Sequence, residues 1–137
     1  MVVAFLASSP TSGRTKGINP FCSLLHRMAD DLKIFFVYAP YQTDAEIQTR
    51  RTEVRPRHLE HMSTLIKGGI LRVGGVLSDP VEVEGKPGDA MGSTMVVKYK
   101  SLEEVKKMLE SDAYYSGNVW DKANLVIRAY TPAVPLP

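Results

Sequence analysis

Two separated positions in this 137-residue chain carry side chains suited to proton transfer. His58 ends the run Arg55-Pro56-Arg57-His58, and Asp112 lies in the run Ser111-Asp112-Ala113-Tyr114. Histidine is a natural general base near neutral pH, because small changes in its environment move its pKa across the working range. A carboxylate bonded to the second ring nitrogen would fix the tautomer and stabilise the imidazolium. If the fold brings them together, His58 and Asp112 are candidates for an acid–base pair.

Two neighbours extend this prediction to substrate binding. Arg55 lies three residues before His58, so both can share a helix face, and a guanidinium there could bind a carboxylate or phenolate. Tyr114 could supply a hydroxyl or a stacking wall. Each residue also has a structural interpretation: a histidine bonded to a backbone carbonyl, a turn aspartate, a solvated arginine and a packed tyrosine.

Other motifs do not predict a cofactor site. His61 follows His58 by three residues, but the chain after residue 30 has no third histidine, no cysteine and no HExxH spacing. We therefore expect His61 on the helix surface and predict no metal. The glycine-rich loop at 85–89 lacks the spacing of a phosphate loop, and no Gly-x-Ser-x-Gly occurs.

Hydrophobic patterns predict four strands and two helices. The strands are expected at 33–38, 70–77, 95–99 and 125–129, with a long hairpin loop over 78–92. Residues 41–53 are polar and predict a loop or an irregular helical turn. A first helix is expected to begin near Pro56 and to stop at Gly68-Gly69. A second should follow Ser101, its N-cap, with Glu104 completing a capping box on the Ser101 N–H and Glu103 pairing with Lys107.

The order β-α-β-β-α-β predicts an α+β, ferredoxin-like fold with a four-stranded antiparallel sheet. Right-handed crossovers would place both helices on one face of the sheet. Several strands nevertheless carry apolar residues on both faces, as in Phe35-Phe36, Val96-Val97 and Val126-Ile127. A bare apolar face normally marks an interface, so we predict a two-fold homodimer with its sheets packed face to face.

Lys33 to Tyr130 resembles the YCII-related family of small dimeric α+β barrel proteins. The matching pieces include Val37-Tyr38-Ala39, Arg55-Pro56-Arg57-His58-Leu59, Ser101-Leu102-Glu103-Glu104 and Asp112-Ala113-Tyr114, together with the glycine-rich second strand. The resemblance implies that His58 and Asp112 form the catalytic pair proposed for the family. Ala113 stands where the family often has proline, and Gly75-Val76-Leu77 where it often has Gly-Pro-Leu. Related barrels include muconolactone isomerases and cofactor-free monooxygenases, which hints at small cyclic or aromatic substrates.

Composition separates the first 30 residues from the rest. Residues 1–29 hold Arg14, Lys16 and Arg27 and no acid, whereas the remaining 14 basic and 15 acidic residues nearly balance. We interpret 1–30, which contain the lone Cys22, as a transit peptide, a disordered tail or the result of a true start at Met28. A domain at 31–131 and a proline-rich tail at 132–137 follow. The location would be mitochondrial with a transit peptide and cytoplasmic otherwise.

Charge and hydropathy limit the partners. The near-neutral body predicts no nucleic-acid binding, and no apolar run reaches the roughly 18 residues of a membrane span. The leading hypothesis is a cofactor-independent enzyme of lyase or isomerase type that acts on a small, anionic, cyclic or aromatic metabolite. The alternatives are a non-catalytic metabolite-binding dimer and a cofactor-free monooxygenase.

Overall fold

The structure, a computed structural model, describes residues 31–80 and 84–137, so the predicted leader lies outside the described residues. Four strands and three helices follow the predicted order. The strands are β1 (Lys33–Pro40), β2 (Leu71–Ser78), β3 (Ala90–Tyr99) and β4 (Val126–Ala129). The helices are α1 (Ile47–Lys67), α2 (Leu102–Glu110) and α3 (Ala113–Ser116), with a 3₁₀ turn at Lys122–Asn124. None of the helices described is long and apolar enough to cross a membrane.

The four strands form one antiparallel sheet in the order β2-β3-β1-β4, which confirms the ferredoxin-like prediction. One face of the sheet carries the core. Phe35 lies opposite Val97, and Val97 lies opposite Leu71, so their side chains form a row across three strands. Residues from α1 and α2 join this buried cluster, among them Met62, Leu65, Val105, Met108 and Leu109. The helices therefore cover the same face of the sheet.

The second face of the sheet is apolar but only partly covered. Phe36 is half-buried, and its β3 neighbour Val96 is buried. On β2, Val73 is 41% exposed and Leu77 is 42% exposed. Such a face suits contact with a second apolar surface. The homodimer stays a prediction.

Helix α1 begins at Ile47, so the predicted start near Pro56 is wrong. The polar stretch before Pro56 supplies the first turns, and Pro56 lies inside the helix. Proline has no N–H to offer the Thr52 carbonyl, and such an interior proline costs about 3 kcal/mol. The helix continues because Val54 and His58 extend its buried face on either side of the proline. Packing against the rest of the fold thus outweighs the local helix-breaking signal.

The other helix boundaries follow the sequence closely. Gly69 adopts φ +69° after α1, and the N–H groups of Gly69 and Ile70 bond to the carbonyls of Ile66 and Leu65, as in a Schellman motif. At α2, the Glu104 N–H donates to Ser101 Oγ at 3.3 Å, which confirms the N-cap.

Two details of the predicted α2 contacts are wrong. The Glu104 carboxylate accepts from the Lys100 N–H at 3.0 Å rather than from the Ser101 N–H. Glu103 pairs with Lys106 at 3.1 Å rather than with Lys107. Residues three and four positions apart are both neighbours on a helix surface, so Glu103 can reach either Lys106 or Lys107.

Gly92 should tolerate no side chain, because β3 approaches β1 closely there. A Cβ on Gly92 would lie 2.8 Å from the Ala39 carbonyl oxygen. We expect Gly92→Ala to lower the free energy of unfolding in urea by about 1–3 kcal/mol, the usual cost of overpacking. Gly75→Ala on β2 is the matched control, since nothing lies within 4 Å of its Cβ position. Equal stability of the two variants would contradict this prediction.

Candidate active site

The structure brings His58 and Asp112 into direct contact. His58 Nδ1 lies 2.8 Å from Asp112 Oδ1, so α1 and the segment after α2 meet at this hydrogen bond. The His58 residue is 8% exposed, and Asp112 is completely buried. The sequence predicts His58 at the start of the first helix. His58 instead lies in the middle of α1, because the helix begins earlier, at Ile47. The pairing that both residues needed is nevertheless present.

Asp112 accepts hydrogen bonds from three donors. Oδ1 also accepts from the Tyr114 N–H at 2.7 Å, and Oδ2 lies 2.7 Å from Nδ1 of His61. Burial alone would raise the pKa of the Asp112 carboxyl, but the bonds from His58, the Tyr114 N–H and His61 outweigh burial and hold the pKa below its usual range. Asp112 is therefore a carboxylate at neutral pH.

Local chain geometry explains why Asp112 reaches the histidines. Helix α2 ends at Glu110, Ser111 is its C-cap, and Asp112 is the N-cap of the short helix α3. The extended backbone of Asp112, with φ −77° and ψ 145°, turns its carboxylate back onto the Tyr114 N–H in the first turn of α3. The Asp112 carboxylate therefore has both predicted roles: it caps α3 as a turn residue, and it binds His58.

Aromatic rings enclose His58 on two sides. The Tyr114 ring is parallel to the imidazole with 3.8 Å between ring centres, and the Trp120 ring stands edge-on at 5.8 Å. Tyr114 also meets Tyr41 edge-on at 6.0 Å. Tyr114 is 2% exposed and its ring stacks on His58, so it packs within the site, and its predicted role in substrate binding stays a prediction. These contacts hold the imidazole plane in one orientation.

Ser93 connects this aromatic group to the sheet. Trp120 Nε1–H donates to Ser93 Oγ at 3.2 Å, and the Tyr41 hydroxyl lies 3.2 Å from the same oxygen. Backbone bonds from Gln42 N to the Val119 carbonyl and from Asp121 N to the Pro40 carbonyl tie the two aromatic segments together. Trp120 is thereby fixed beneath His58.

A cavity of about 380 Å³ opens beside His58, between α1 and strands β2 and β3. Apolar side chains supply most of its wall, and the polar residues of the lining are His58, Arg72, Ser93 and Thr94. Leu59 and Ile66 of α1 are 47% and 60% exposed and line this cavity. Gly74 and Gly75 form part of the opposite wall. The volume is in the range of small-molecule sites.

Arg55 is not part of the hydrogen-bonded pair of His58 and Asp112. It is exposed on α1, one turn before His58. Burial and the neighbouring Tyr41 raise the pKa of the Tyr114 hydroxyl, whereas the positive charges of Arg51 and Arg55 partly lower it. Arg51 also lies 5.3 Å from the centre of the Tyr41 ring, and its Nε has no hydrogen-bond partner in the part of the chain that the structure describes.

The hydrogen bonds assign the protons of the site. An ionised carboxylate only accepts, so each histidine donates from Nδ1 to Asp112. Nε2 of neutral His58 then carries a lone pair, and no described residue makes a hydrogen bond to it. This is the arrangement of an imidazole base that is oriented by a carboxylate.

Sequence reasoning missed three residues of the site. His61 is not simply on the helix surface as predicted, because its Nδ1 is held by Asp112; the spacing from His58 was a visible signal, but it prompted only a test for metal ligands. Trp120 and Ser93 gave no local signal, since their contacts cross the fold. Among the described residues, no group of three histidine, cysteine, aspartate or glutamate side chains could hold a metal ion.

Similar proteins agree with this architecture. No family model matches the chain. Protein YciI of Escherichia coli O6:H1 is 29% identical over 94 residues, which cover 67% of this chain and 92% of YciI. The Emericella nidulans protein named derivative of benzaldehyde biosynthesis cluster protein C is 38% identical over 72 residues, covering 52% of this chain and 74% of the relative. The chain belongs to the YCII-related family.

A solved structure supports the fold of this YCII-related chain. The 5-chloro-2-hydroxyhydroquinone dehydrochlorinase from Burkholderia phenoliruptrix AC1100, in complex with 2,5-dihydroxybenzoquinone, aligns with a TM-score of 0.58. The alignment covers 72% of this chain and 93% of that chain at 21% identity. At this identity the likeness concerns the fold, and it agrees with the α+β class predicted from the sequence.

Proposed function

We propose that this protein is a small cofactor-independent enzyme of lyase or isomerase type. It moves a proton on a small, anionic, cyclic or aromatic metabolite. His58 is the general base, and Asp112 orients it and stabilises its imidazolium. Arg55 attracts an anionic substrate toward the cavity by its charge, and Tyr114 contributes to substrate binding by holding the imidazole plane.

One observation carries the proposal. The His58–Asp112 bond of 2.8 Å fixes Nδ1 as the donor and leaves Nε2 as a base beside a cavity of about 380 Å³. Burial of the carboxylate makes its interaction with an imidazolium stronger than it would be in water. The pair is therefore suited to accepting a proton from a molecule in the cavity.

The proposed step starts with proton transfer to Nε2 of His58. The proton leaves a ring hydroxyl or a carbon next to a carbonyl, and its electron pair stays on the substrate as an enolate or phenolate. In an isomerisation, the imidazolium returns the same proton to a different atom. In an elimination, the electron pair forms a double bond and expels a leaving group as an anion from the adjacent carbon. Asp112 stabilises the imidazolium throughout and keeps its negative charge.

The wall of the cavity favours a flat, mostly apolar ring. Gly74 and Gly75 offer backbone rather than side chains on one side, and Met62 and Leu59 provide apolar surface on the other. The names of two similar proteins, a dehydrochlorinase bound to a dihydroxybenzoquinone and a benzaldehyde-derivative cluster protein, favour an oxygenated six-membered ring. Arg55 would attract the anionic oxygen of such a ring.

We also propose that two copies pair through the second face of the sheet. The exposed Val73 and Leu77 and the half-buried Phe36 would lie in this interface. Burying them would remove apolar surface from water in each copy. Sedimentation of the full chain should then give the mass of a dimer.

A ligand screen tests the proposed function. The full chain is melted in the presence of phenolic acids, dihydroxybenzoquinones and lactones, and every compound that raises Tm is then incubated with the protein and followed for product. A ligand at 100 times its Kd stabilises the folded state by about 2.7 kcal/mol, which is readily seen as a shift in Tm. We expect at least one oxygenated ring compound both to bind and to be converted.

The alternatives predict different outcomes of the same screen. Stabilising ligands without any product would favour a metabolite-binding dimer, and oxygen consumption with substrate would favour a monooxygenase.

Arg55→Gln should weaken the binding of anionic ligands and leave neutral ring compounds unaffected. Arg57→Gln is the matched control on the same turn of α1, where the side chain is also exposed.

A further inference from the structure

Asp112 is shared by two histidines. Oδ1 lies 2.8 Å from Nδ1 of His58, and Oδ2 lies 2.7 Å from Nδ1 of His61. Since both histidines are on α1, three residues apart, one helix face presents two imidazoles to one carboxylate. The mechanism proposed above uses only His58. The second imidazole is a titratable group for which the structure provides a built-in partner.

We propose that His61 is a positioning residue that keeps His58 in its neutral, base-competent form at mildly acidic pH. The inference rests on the proposed function of His58 as a base. His61 does not line the described cavity, so its effect reaches His58 through Asp112 rather than through the substrate.

Exposure determines which histidine takes the first proton as the pH falls. The His61 side chain is 25% exposed, whereas that of His58 is 10% exposed. A charged ring loses less hydration at the more exposed position, so the imidazolium forms first on His61. Asp112 then has one positive charge already paired with its single negative charge. A second imidazolium on His58 would gain less from the carboxylate and would be repelled by the first.

The surrounding groups leave this coupling intact. Tyr114 from α3 stacks on His58, but its hydroxyl is neutral in this range because burial raises its pKa. Arg51 and Arg55 precede His58 on α1, and their positive charges partly lower the pKa of the Tyr114 hydroxyl; the same charges disfavour a second imidazolium. Among the described residues, the ion-pair partners of Asp112 are the two histidines.

Proton NMR of the imidazole Cε1–H signals tests the proposal without any substrate. His61→Asn retains a neutral N–H donor for Asp112 but cannot become charged. In this variant we expect the titration midpoint of His58 to rise by about one pH unit, the scale of coupling between interacting sites. An unchanged or lower midpoint would overturn the proposal. The His58 signal is assigned by its loss in His58→Gln.

The wild-type protein supplies an independent test that needs no His61 variant. His61 must titrate at a higher pH than His58, and the reverse order would overturn the proposal. Where a substrate is known, the acid limb of kcat/KM should move to higher pH in His61→Asn. Because the NMR midpoints need no turnover, a protein with coupled histidines and no activity would refute the proposed function alone.

Discussion

Replacing His58 by glutamine should lower kcat about 10²–10⁴-fold, the usual contribution of a positioned general base. Glutamine retains a polar side chain of similar reach but has no lone-pair nitrogen that can accept a proton near neutral pH. Its effect should fall on kcat more than on KM, because the residue acts on the proton in transit rather than on ground-state binding. Steady-state kinetics on a substrate identified in the ligand screen provide the measurement.

Two controls separate chemistry from folding in this experiment. Glu60→Gln changes an exposed side chain on the same turn of α1 and should leave kcat unaltered. His58→Gln itself should remain folded by circular dichroism and should still gain thermal stability from a bound ligand. Full turnover by folded His58→Gln would eliminate His58 as the base.

Replacing Asp112 by asparagine should damage both activity and stability. The amide presents a donor where the carboxylate had an acceptor, so one histidine must turn or change its tautomer to avoid a donor facing a donor. Exchanging an orienting aspartate for asparagine in a serine protease lowers kcat about 10⁴-fold, and we expect a loss approaching that size here. A hydrogen bond to a charged group typically contributes about 1.5–3 kcal/mol, so the loss of a histidine bond to the carboxylate should also lower the free energy of unfolding by about that amount.

The pH dependence of stability identifies the origin of this loss. The pKa of Asp112 in the folded protein lies below the ordinary value of 3.8, so its contribution to stability is present above that value. As the pH falls below 3.8 toward the pKa in the folded protein, the contribution is lost, and wild type and Asp112→Asn should converge.

Asp121→Asn is the matched control for Asp112→Asn. Asp121 also caps a helical turn and accepts from the Ala123 N–H at 3.2 Å, but neither described histidine, His58 or His61, is hydrogen-bonded to it. It should therefore lower stability by much less, about the 1 kcal/mol of an N-cap at most. Similar losses in the two variants would mean that capping, rather than the histidines, accounts for the effect at Asp112.

The parts of the fold that could be predicted were those governed by local rules. Apolar and alternating patterns predicted four strands, although β3 begins at Ala90, inside the predicted loop. Gly68-Gly69 predicted the end of α1, and Ser101 with its partner three residues later predicted the start of α2. The start of α1 could not be read locally, because Pro56 resembles a first-turn proline and the preceding residues are polar. Only packing of the Val54 face against the rest of the fold extends the helix to Ile47.

The site was predictable in its principal pair and incomplete beyond it. His58 and Asp112 carried chemical signals of their own, and the family resemblance joined them. His61 had visible spacing, but nothing in the sequence indicated that Asp112 would offer it the second carboxylate oxygen. Ser93 and Trp120 meet across the sheet and a loop, at a distance in the chain that no local pattern spans.

The dual use of Asp112 affects how evolution can act on this protein. Its carboxylate both starts α3 and holds two rings, so selection for folding alone would retain it in a descendant that had lost all activity. Nε2 of His58, by contrast, makes no hydrogen bond to the described residues, so it has no comparable role in folding. In a lineage drifting away from catalysis, substitutions should therefore appear at His58 before they appear at Asp112.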